Sequence, residues 1–144
     1  MNPRHDYQDE VARVFREAKF IQNLGLVLDD VGPGTCEASL VLADRHLQQS
    51  GRAHAGVLAT VGDHTAGGAA TSLCPVGQIL LSININVSLM RGATGNRLVC
   101  RARVIKPGAR VMTAESDVFL FRDGVETLAA RLMVTMAVVP DPAG

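Results

Sequence analysis

The sequence predicts an α+β protein in which an antiparallel, curved β-sheet wraps around one long central α-helix. Residues 52–72 are almost entirely apolar or small, and they are long enough for a five-turn helix of about 28 Å. Residues 79–90 alternate between aliphatic and polar side chains, as a half-exposed strand does. Three more strand-like segments follow with tight turns between them, which favours antiparallel pairing over a parallel βαβ arrangement.

The composition limits the classes of function. The 144 residues, 47% of them hydrophobic and 3% aromatic, predict one domain over residues 1–144 with an aliphatic core. A net charge of zero gives no field that would attract nucleic acid or acidic lipid. The chain has neither an 18-residue apolar run nor a signal-peptide pattern, so we expect a cytoplasmic protein without membrane association. Cys36, Cys74 and Cys100 are widely spaced and odd in number, which indicates buried thiols rather than disulfides or a zinc site.

Apolar residues at helical spacing over 6–20 predict an amphipathic helix before the central one. Strands are expected at 24–30 and 35–42, joined by the turn Gly32-Pro33-Gly34. A polar loop over 43–53 leads into the central helix. Beyond it, strands are predicted at 79–90, 97–106, 110–121 and 125–139, with Asp123-Gly124 as a hairpin turn.

Asp63 is the only formally charged residue between positions 52 and 91 when the histidines are neutral. Aspartate is a poor helix former and is rarely buried without a partner. Either it lies on a solvated stripe or bonds nearby backbone, or it is an active-site carboxylate enclosed by other elements. Each glycine in this helix costs about 1 kcal/mol relative to alanine, which favours the close approach of another backbone. These glycines are Gly56, Gly62, Gly67 and Gly68.

A spaced motif surrounds this acid. Gln48 is followed six residues later by His54-Ala55-Gly56 at the predicted helix start, and Asp63 lies nine residues after His54. Together with the strand and turn at 82–93 and the turn at 107–110, the motif resembles the hotdog fold, and within it the PaaI-like (phenylacetic acid degradation type) acyl-CoA thioesterases. Gln48 stands where that family usually has Asn, and Ala55 where it has Gly.

The resemblance implies hydrolysis of an acyl-CoA thioester to a free acid and CoA, with CoA as part of the substrate and no separate cofactor. Water attack on the carbonyl needs a group that activates the attacker and donors that hold the oxyanion. We expect Asp63 to act as general base or nucleophile and the helix-start N–H groups of Ala55 and Gly56 to form the oxyanion hole. Gln48 would bind the carbonyl or orient the water.

Two further residues have a structural and a functional interpretation. His54 either takes part in catalysis or, as the favoured interpretation, fixes the loop that enters the helix. Ser82 is either a solvent-facing strand residue or, as the resemblance implies, a hydroxyl that orients water. The spacing of His46, His54, Asp63 and His64 matches no familiar metal site, so we expect no metal. His64 follows Asp63 on the helix and points about 100° away from it, so we expect it to serve packing or an interface.

Basic residues and a turn at strand ends are candidates for binding the phosphates of CoA. They are Arg91, Lys106, Gly108 and Arg110. The acyl pocket is expected to be aliphatic, with Phe15 and Phe20 as further lining.

The helix geometry predicts a homodimer. His54 and Asp63 lie about 13 Å apart along one helix and on opposite faces, so a single helix cannot aim both ends at one carbonyl. A site at a two-fold interface, with the helix start from one chain and Asp63 from the other, resolves this. Pairing of two dimers into a tetramer is a further expectation. The alternative functions are a hotdog hydratase or dehydratase and a non-catalytic acyl-CoA-binding dimer.

Overall fold

The computed structural model describes residues 3–144. Its helices and strands, in chain order, are α1 (Tyr7–Glu17), α2 (Lys19–Leu24), β1 (Val27–Gly32), β2 (Thr35–Val41), α3 (Ala55–Thr71), β3 (Gln78–Leu89), β4 (Arg97–Pro107), β5 (Val111–Arg122) and β6 (Val125–Pro140). A 3-10 turn, Asp44–His46, lies between β2 and α3. Within residues 3–144, no helix is both long and apolar enough to cross a membrane.

The six strands form one antiparallel sheet in the order β1-β2-β4-β5-β6-β3, and α3 contacts every strand of it. Alternate residues of β5, from Met112 to Leu120, are buried beneath α3. The predicted α+β class, a curved antiparallel sheet around one long helix, is confirmed, and the architecture is that of the hotdog fold. The two edges of the sheet are β1 and β3.

Two of the α3 glycines allow close packing. A Cβ atom at Gly62 would collide with the Leu132 side chain, and one at Gly68 would lie 2.8 Å from Cys36 Sγ. The neighbours are side chains rather than the expected backbone. A Cβ at Gly67, in contrast, would meet no atom within 4 Å. Packing therefore explains Gly62 and Gly68 but not Gly67.

The N-terminal bounds differ from the prediction. The expected single helix over 6–20 is broken at Ala18, whose extended backbone (ψ 101°) separates α1 from α2. This break allows both Phe15 and Ile21 to reach the core, where they are 4% and 3% exposed. The strand expected from position 24 begins at Val27, because α2 continues to position 24 and ends at Gly25, which adopts φ 91°.

The strict alternation predicted for β3 is interrupted by a β-bulge. Ile83 is an extra residue between Ser82 and Asn84, and it has no partner in β6. The bulge shifts the alternation of side chains by one residue, so Ser82 and Ile85 face the same side of the sheet. Each of them lies opposite a buried residue of β6. The bulge thus places Ser82 on the α3 side of the sheet.

Candidate active site

The carboxylate of Asp63 projects from the middle of α3 and is half-buried. Ser82 Oγ donates a hydrogen bond of 2.6 Å to Asp63 Oδ1. Burial raises the pKa of the Asp63 carboxyl above its ordinary value, and the hydrogen bond from Ser82 offsets part of that rise. Because Ser82 is exposed, this pair remains open to an approaching ligand.

Two cavities meet at Asp63. The first, which we call the α1 cavity, has a volume of about 330 Å³ and is lined by residues of α1, α3 and the start of β3, including Asp63, His64, Gly67, Gln78 and Ser82. The second, of about 330 Å³, is lined by Phe20, Thr60, Asp63, His64 and Ile85, among others. Phe20 is 65% exposed and lines the second cavity, whereas Phe15 is buried and packs edge-on against His64, with 4.5 Å between ring centroids.

His64 and Gln78, two residues that line the α1 cavity, each carry one buried polar side-chain atom. Within residues 3–144, His64 Nε2 and Gln78 Oε1 have no hydrogen-bond partner. Burial lowers the pKa of His64 to about 4, so the imidazole is neutral at neutral pH. The sequence reasoning assigned His64 to packing or an interface and overlooked Gln78. The available signal for Gln78 was a lone amide at the start of the aliphatic run 79–81.

The start of α3 forms a second group of predicted site residues. His54 is the N-cap, and its Nδ1 accepts a 2.8 Å hydrogen bond from the Gly56 N–H. Of the two amides expected to be free, the Gly56 N–H is therefore occupied, while the Ala55 N–H has no acceptor within the described chain. Gln48 and Ala55 line a further cavity of about 340 Å³ together with Arg91 at the end of β3.

One chain does not bring these two groups together. Asp63 and Ser82 line the α1 cavity, whereas Gln48 and Ala55 line a different one. Along β3, Ser82 and Leu89, which lines the cavity of Gln48 and Ala55, are separated by roughly 20 Å at the usual rise of a strand. We call the Asp63–Ser82 group the acid half-site and the Gln48–Ala55 group the amide half-site.

The residues expected to bind CoA also divide between the two ends of β3. Arg91 belongs to the amide half-site. Lys106, Gly108 and Arg110 lie at the turn between β4 and β5. The carbonyl oxygen of Arg110 accepts a 2.9 Å hydrogen bond from the Val138 N–H. Val138 belongs to β6 and pairs with Leu80, near the start of β3. This turn is therefore at the acid end of β3. Arg91, Lys106 and Arg110 are exposed and form no ion pair within residues 3–144.

Other polar features serve the fold. A Cβ at Gly108 would collide with the Val111 carbonyl oxygen, so the glycine is needed for the turn. A cavity of about 360 Å³ on the outer face of the sheet is lined by charged side chains that pair with one another, as Arg101 does with Glu37 at 3.1 Å. His46 is buried, with Nδ1 accepting from the Ala43 N–H at 2.9 Å. In the part of the chain that the structure describes, no group of three or more His, Cys, Asp or Glu residues could hold a metal ion.

Comparisons with known proteins agree with this fold. Residues 50–127 match the family described as the thioesterase superfamily. A thioesterase family protein from Silicibacter pomeroyi is 31% identical, with a TM-score of 0.91 over 94% of this chain and 99% of that chain. A phenylacetic acid degradation-related protein from Ralstonia eutropha is 25% identical, with a TM-score of 0.77 over 88% of this chain and 98% of that chain. A variant of the phenylacetic acid degradation protein PaaI from Thermus thermophilus shares the fold at 22% identity, with a TM-score of 0.72 over 83% and 97% of the two chains. A search of curated proteins gave no match.

Proposed function

Because this chain belongs to the thioesterase superfamily and is a thioester hydrolase, we propose that it hydrolyses acyl-CoA thioesters with Asp63 as the central catalytic group. The observation that carries this proposal is the half-buried carboxylate, with its raised pKa and its hydrogen bond from Ser82, at the junction of two cavities. A raised pKa makes a carboxylate a stronger base than one in water, as activation of a water molecule requires.

The reaction follows from these groups. As general base, Asp63 accepts a proton from water while the water oxygen forms a bond to the thioester carbonyl carbon. The resulting tetrahedral oxyanion accepts hydrogen bonds from the amide half-site, chiefly the Ala55 N–H, with Gln48 as a second donor. Collapse of the intermediate breaks the C–S bond, and the leaving CoA thiolate takes up the proton that Asp63 accepted from water, which restores the carboxylate. As a nucleophile, Asp63 would instead attack the carbonyl carbon and expel the CoA thiolate, which forms an acyl anhydride. Water then cleaves the anhydride to the free acid and the Asp63 carboxylate.

A dimer formed through β3 would complete the site. β3 is a 12-residue edge strand, and an exposed strand edge favours pairing with another chain. Leu81, Ile83, Ile85 and Leu89 on this strand are 44–61% exposed, which is unusual for aliphatic side chains. If two β3 strands pair antiparallel with Ser82 opposite the partner's Leu89, the acid half-site of each chain faces the amide half-site of the other.

The same pairing would gather the basic residues. Lys106 and Arg110 lie at the acid end of β3, and Arg91 lies at the amide end. In the proposed dimer, Arg91 of the partner subunit would approach the first two at one site mouth. Three exposed cations there suit the phosphates of CoA.

The proposal is tested by thiol release from a panel of acyl-CoAs. We expect Asp63→Asn to lower kcat/KM by at least about 100-fold, in line with the contribution of a general base. The variant should fold at least as stably at neutral pH, because it removes a charge that burial disfavours. Asp29→Asn, at an exposed aspartate of the opposite sheet edge, should leave the rate unchanged.

Two outcomes would contradict this assignment. Full turnover by Asp63→Asn would remove Asp63 from the mechanism. A parent protein that binds acyl-CoA without releasing thiol would instead favour a hydratase or dehydratase, or a non-catalytic binding dimer.

A further inference from the structure

One polar side chain lies among the apolar residues of β5 that face α3. The buried residues on that face are Met112, Ala114, Ser116, Val118 and Leu120, and of these five Ser116 alone carries a hydroxyl. Ser116 has no exposed surface, so its hydroxyl must exchange water for a partner within the protein. A serine among apolar neighbours at such a position needs a reason beyond packing.

The partner of Ser116 is the backbone of α3 immediately before the proposed base. Ser116 Oγ donates a 2.9 Å hydrogen bond to the carbonyl oxygen of Gly62. That carbonyl belongs to the peptide group whose nitrogen is the backbone nitrogen of Asp63. The hydrogen bond therefore fastens α3 to the sheet at the residue that precedes the carboxylate.

A second residue of the sheet contacts the same point of the helix. Leu132 of β6 pairs with Ser116, and a Cβ atom at Gly62 would collide with the Leu132 side chain. Apolar packing of this kind sets how closely the helix approaches the sheet, but it has no preferred direction. A hydrogen bond weakens steeply as its angle departs from the preferred one. The Ser116 bond can therefore fix the rotation of α3 about its axis, as packing alone does not.

The rotation of α3 decides where the Asp63 carboxylate lies. Asp63 follows Gly62, so its side chain points about 100° away from the Ser116 contact. It reaches β3, where Ser82 donates the 2.6 Å hydrogen bond to it. A side chain extends about 5 Å from the helix axis, so a rotation of about 10° moves the carboxylate by about 1 Å. A displacement of that size can lower a rate about 100-fold.

We propose that Ser116 is a positioning residue for the thioesterase reaction. Its hydrogen bond to the Gly62 carbonyl fixes the rotation of α3 and holds Asp63 where it meets both Ser82 and the attacking water. Because Ser116 is fully buried, it acts through Asp63 and does not touch the substrate. This inference rests on the proposed function and adds to it a residue that lies outside both half-sites.

Steady-state thiol release by Ser116→Ala tests the proposal. We expect kcat per folded protein to fall about tenfold with KM nearly unchanged, because the base is displaced while the groups that bind the substrate stay in place. Ser116→Cys keeps a weaker donor of similar shape. It should recover part of the lost kcat.

Ser72→Ala is the matched control, because Ser72 is also fully buried and also links α3 to another element. Its Oγ accepts a 2.7 Å hydrogen bond from the Gly34 N–H at the C-terminal end of α3, away from Asp63. Each alanine variant removes a buried hydrogen bond, so both should lower the urea midpoint of unfolding. Ser72→Ala, however, should keep kcat per folded protein close to that of the parent.

A double-mutant cycle tests whether Ser116 acts through Asp63. In the Asp63→Asn background no base remains to be positioned, so the further change Ser116→Ala should leave the residual kcat unchanged. The positioning role is overturned by an unchanged kcat in Ser116→Ala, by an equal loss of kcat in Ser72→Ala, or by a loss that persists in the Asp63→Asn background. Full turnover by Asp63→Asn overturns the proposed function itself.

Discussion

At the residue scale, the carboxylate of Asp63 is subject to two opposed effects. Burial raises its pKa and the hydrogen bond from Ser82 lowers it, with burial the larger of the two. The folded protein therefore holds the Asp63 proton more tightly than the unfolded chain does. Ionisation of Asp63 consequently costs stability as the pH rises through its pKa, while it produces the base that the reaction needs. Function and stability oppose each other at this residue.

This balance predicts the pH profile. In the parent, kcat/KM should fall on acidification with an apparent pKa above that of an ordinary aspartate. Ser82→Ala removes the bond that favours the charged carboxylate, so the acid limb should move to higher pH. Thr35→Ala, at an exposed hydroxyl residue of β2 and away from β3, should leave the profile unchanged. An acid limb that moves to lower pH in Ser82→Ala would mean that the serine does not stabilise the ionised form.

The sequence indicated Asp63 because one acid stood alone in an apolar helix, and the resemblance indicated Ser82. Neither His64 nor Gln78 was identified as a site residue. The lone amide before the aliphatic run 79–81 distinguishes Gln78 in the sequence. Whether a buried atom lacks a hydrogen-bond partner, however, depends on every element around it.

At the element scale, α3 is shaped by its glycines. Gly62 and Gly67 both lie in the helix, but only Gly62 faces a side chain, Leu132, at a distance that excludes a Cβ. The same substitution should therefore have opposite effects at the two positions. Helix propensity alone favours alanine at both.

Urea unfolding at one fixed protein concentration tests this contrast. Gly62→Ala should lower the free energy of unfolding by about 1–3 kcal/mol through overpacking. Gly67→Ala should raise it by up to about 1 kcal/mol. Equal effects of both substitutions would show that the Leu132 side chain moves aside readily and that the close packing at Gly62 is not required for stability.

Most element bounds were predictable because period and turn signals are local. β4, β5 and β6 begin and end within a residue of the predicted positions. The bulge at Ile83 and the break at Ala18 were not predictable. Both depend on how the segment packs against the surrounding core. The sequence does not reveal them, because the apolar residues on either side of a bulge or break still follow a regular period.

At the scale of the whole molecule, the two sheet edges differ. β1 has 6 residues and exposes Asp29 and Asp30, which discourages pairing. β3 has 12 residues and exposes aliphatic side chains such as Ile83, at 61%. Together with the separate half-sites at the two ends of β3, this asymmetry supports a dimer through β3. The helix spacing in the sequence already suggested a two-chain site. It could not identify the edge, because strand order depends on the whole fold.

The central claim is that each active site combines Asp63 of one chain with Gln48 of the other. Co-expression of Asp63→Asn and Gln48→Ala chains with different tags allows the mixed dimer to be isolated. In a two-chain site, that dimer contains one intact site and one doubly altered site. In a one-chain site, both sites carry one defect.

Thiol release by the purified mixed dimer decides between these arrangements. We predict that each single-variant dimer is impaired and that the mixed dimer recovers about half of the parent's activity, because one of two symmetric sites is restored. A mixed dimer no more active than the two single-variant dimers would contradict the two-chain site.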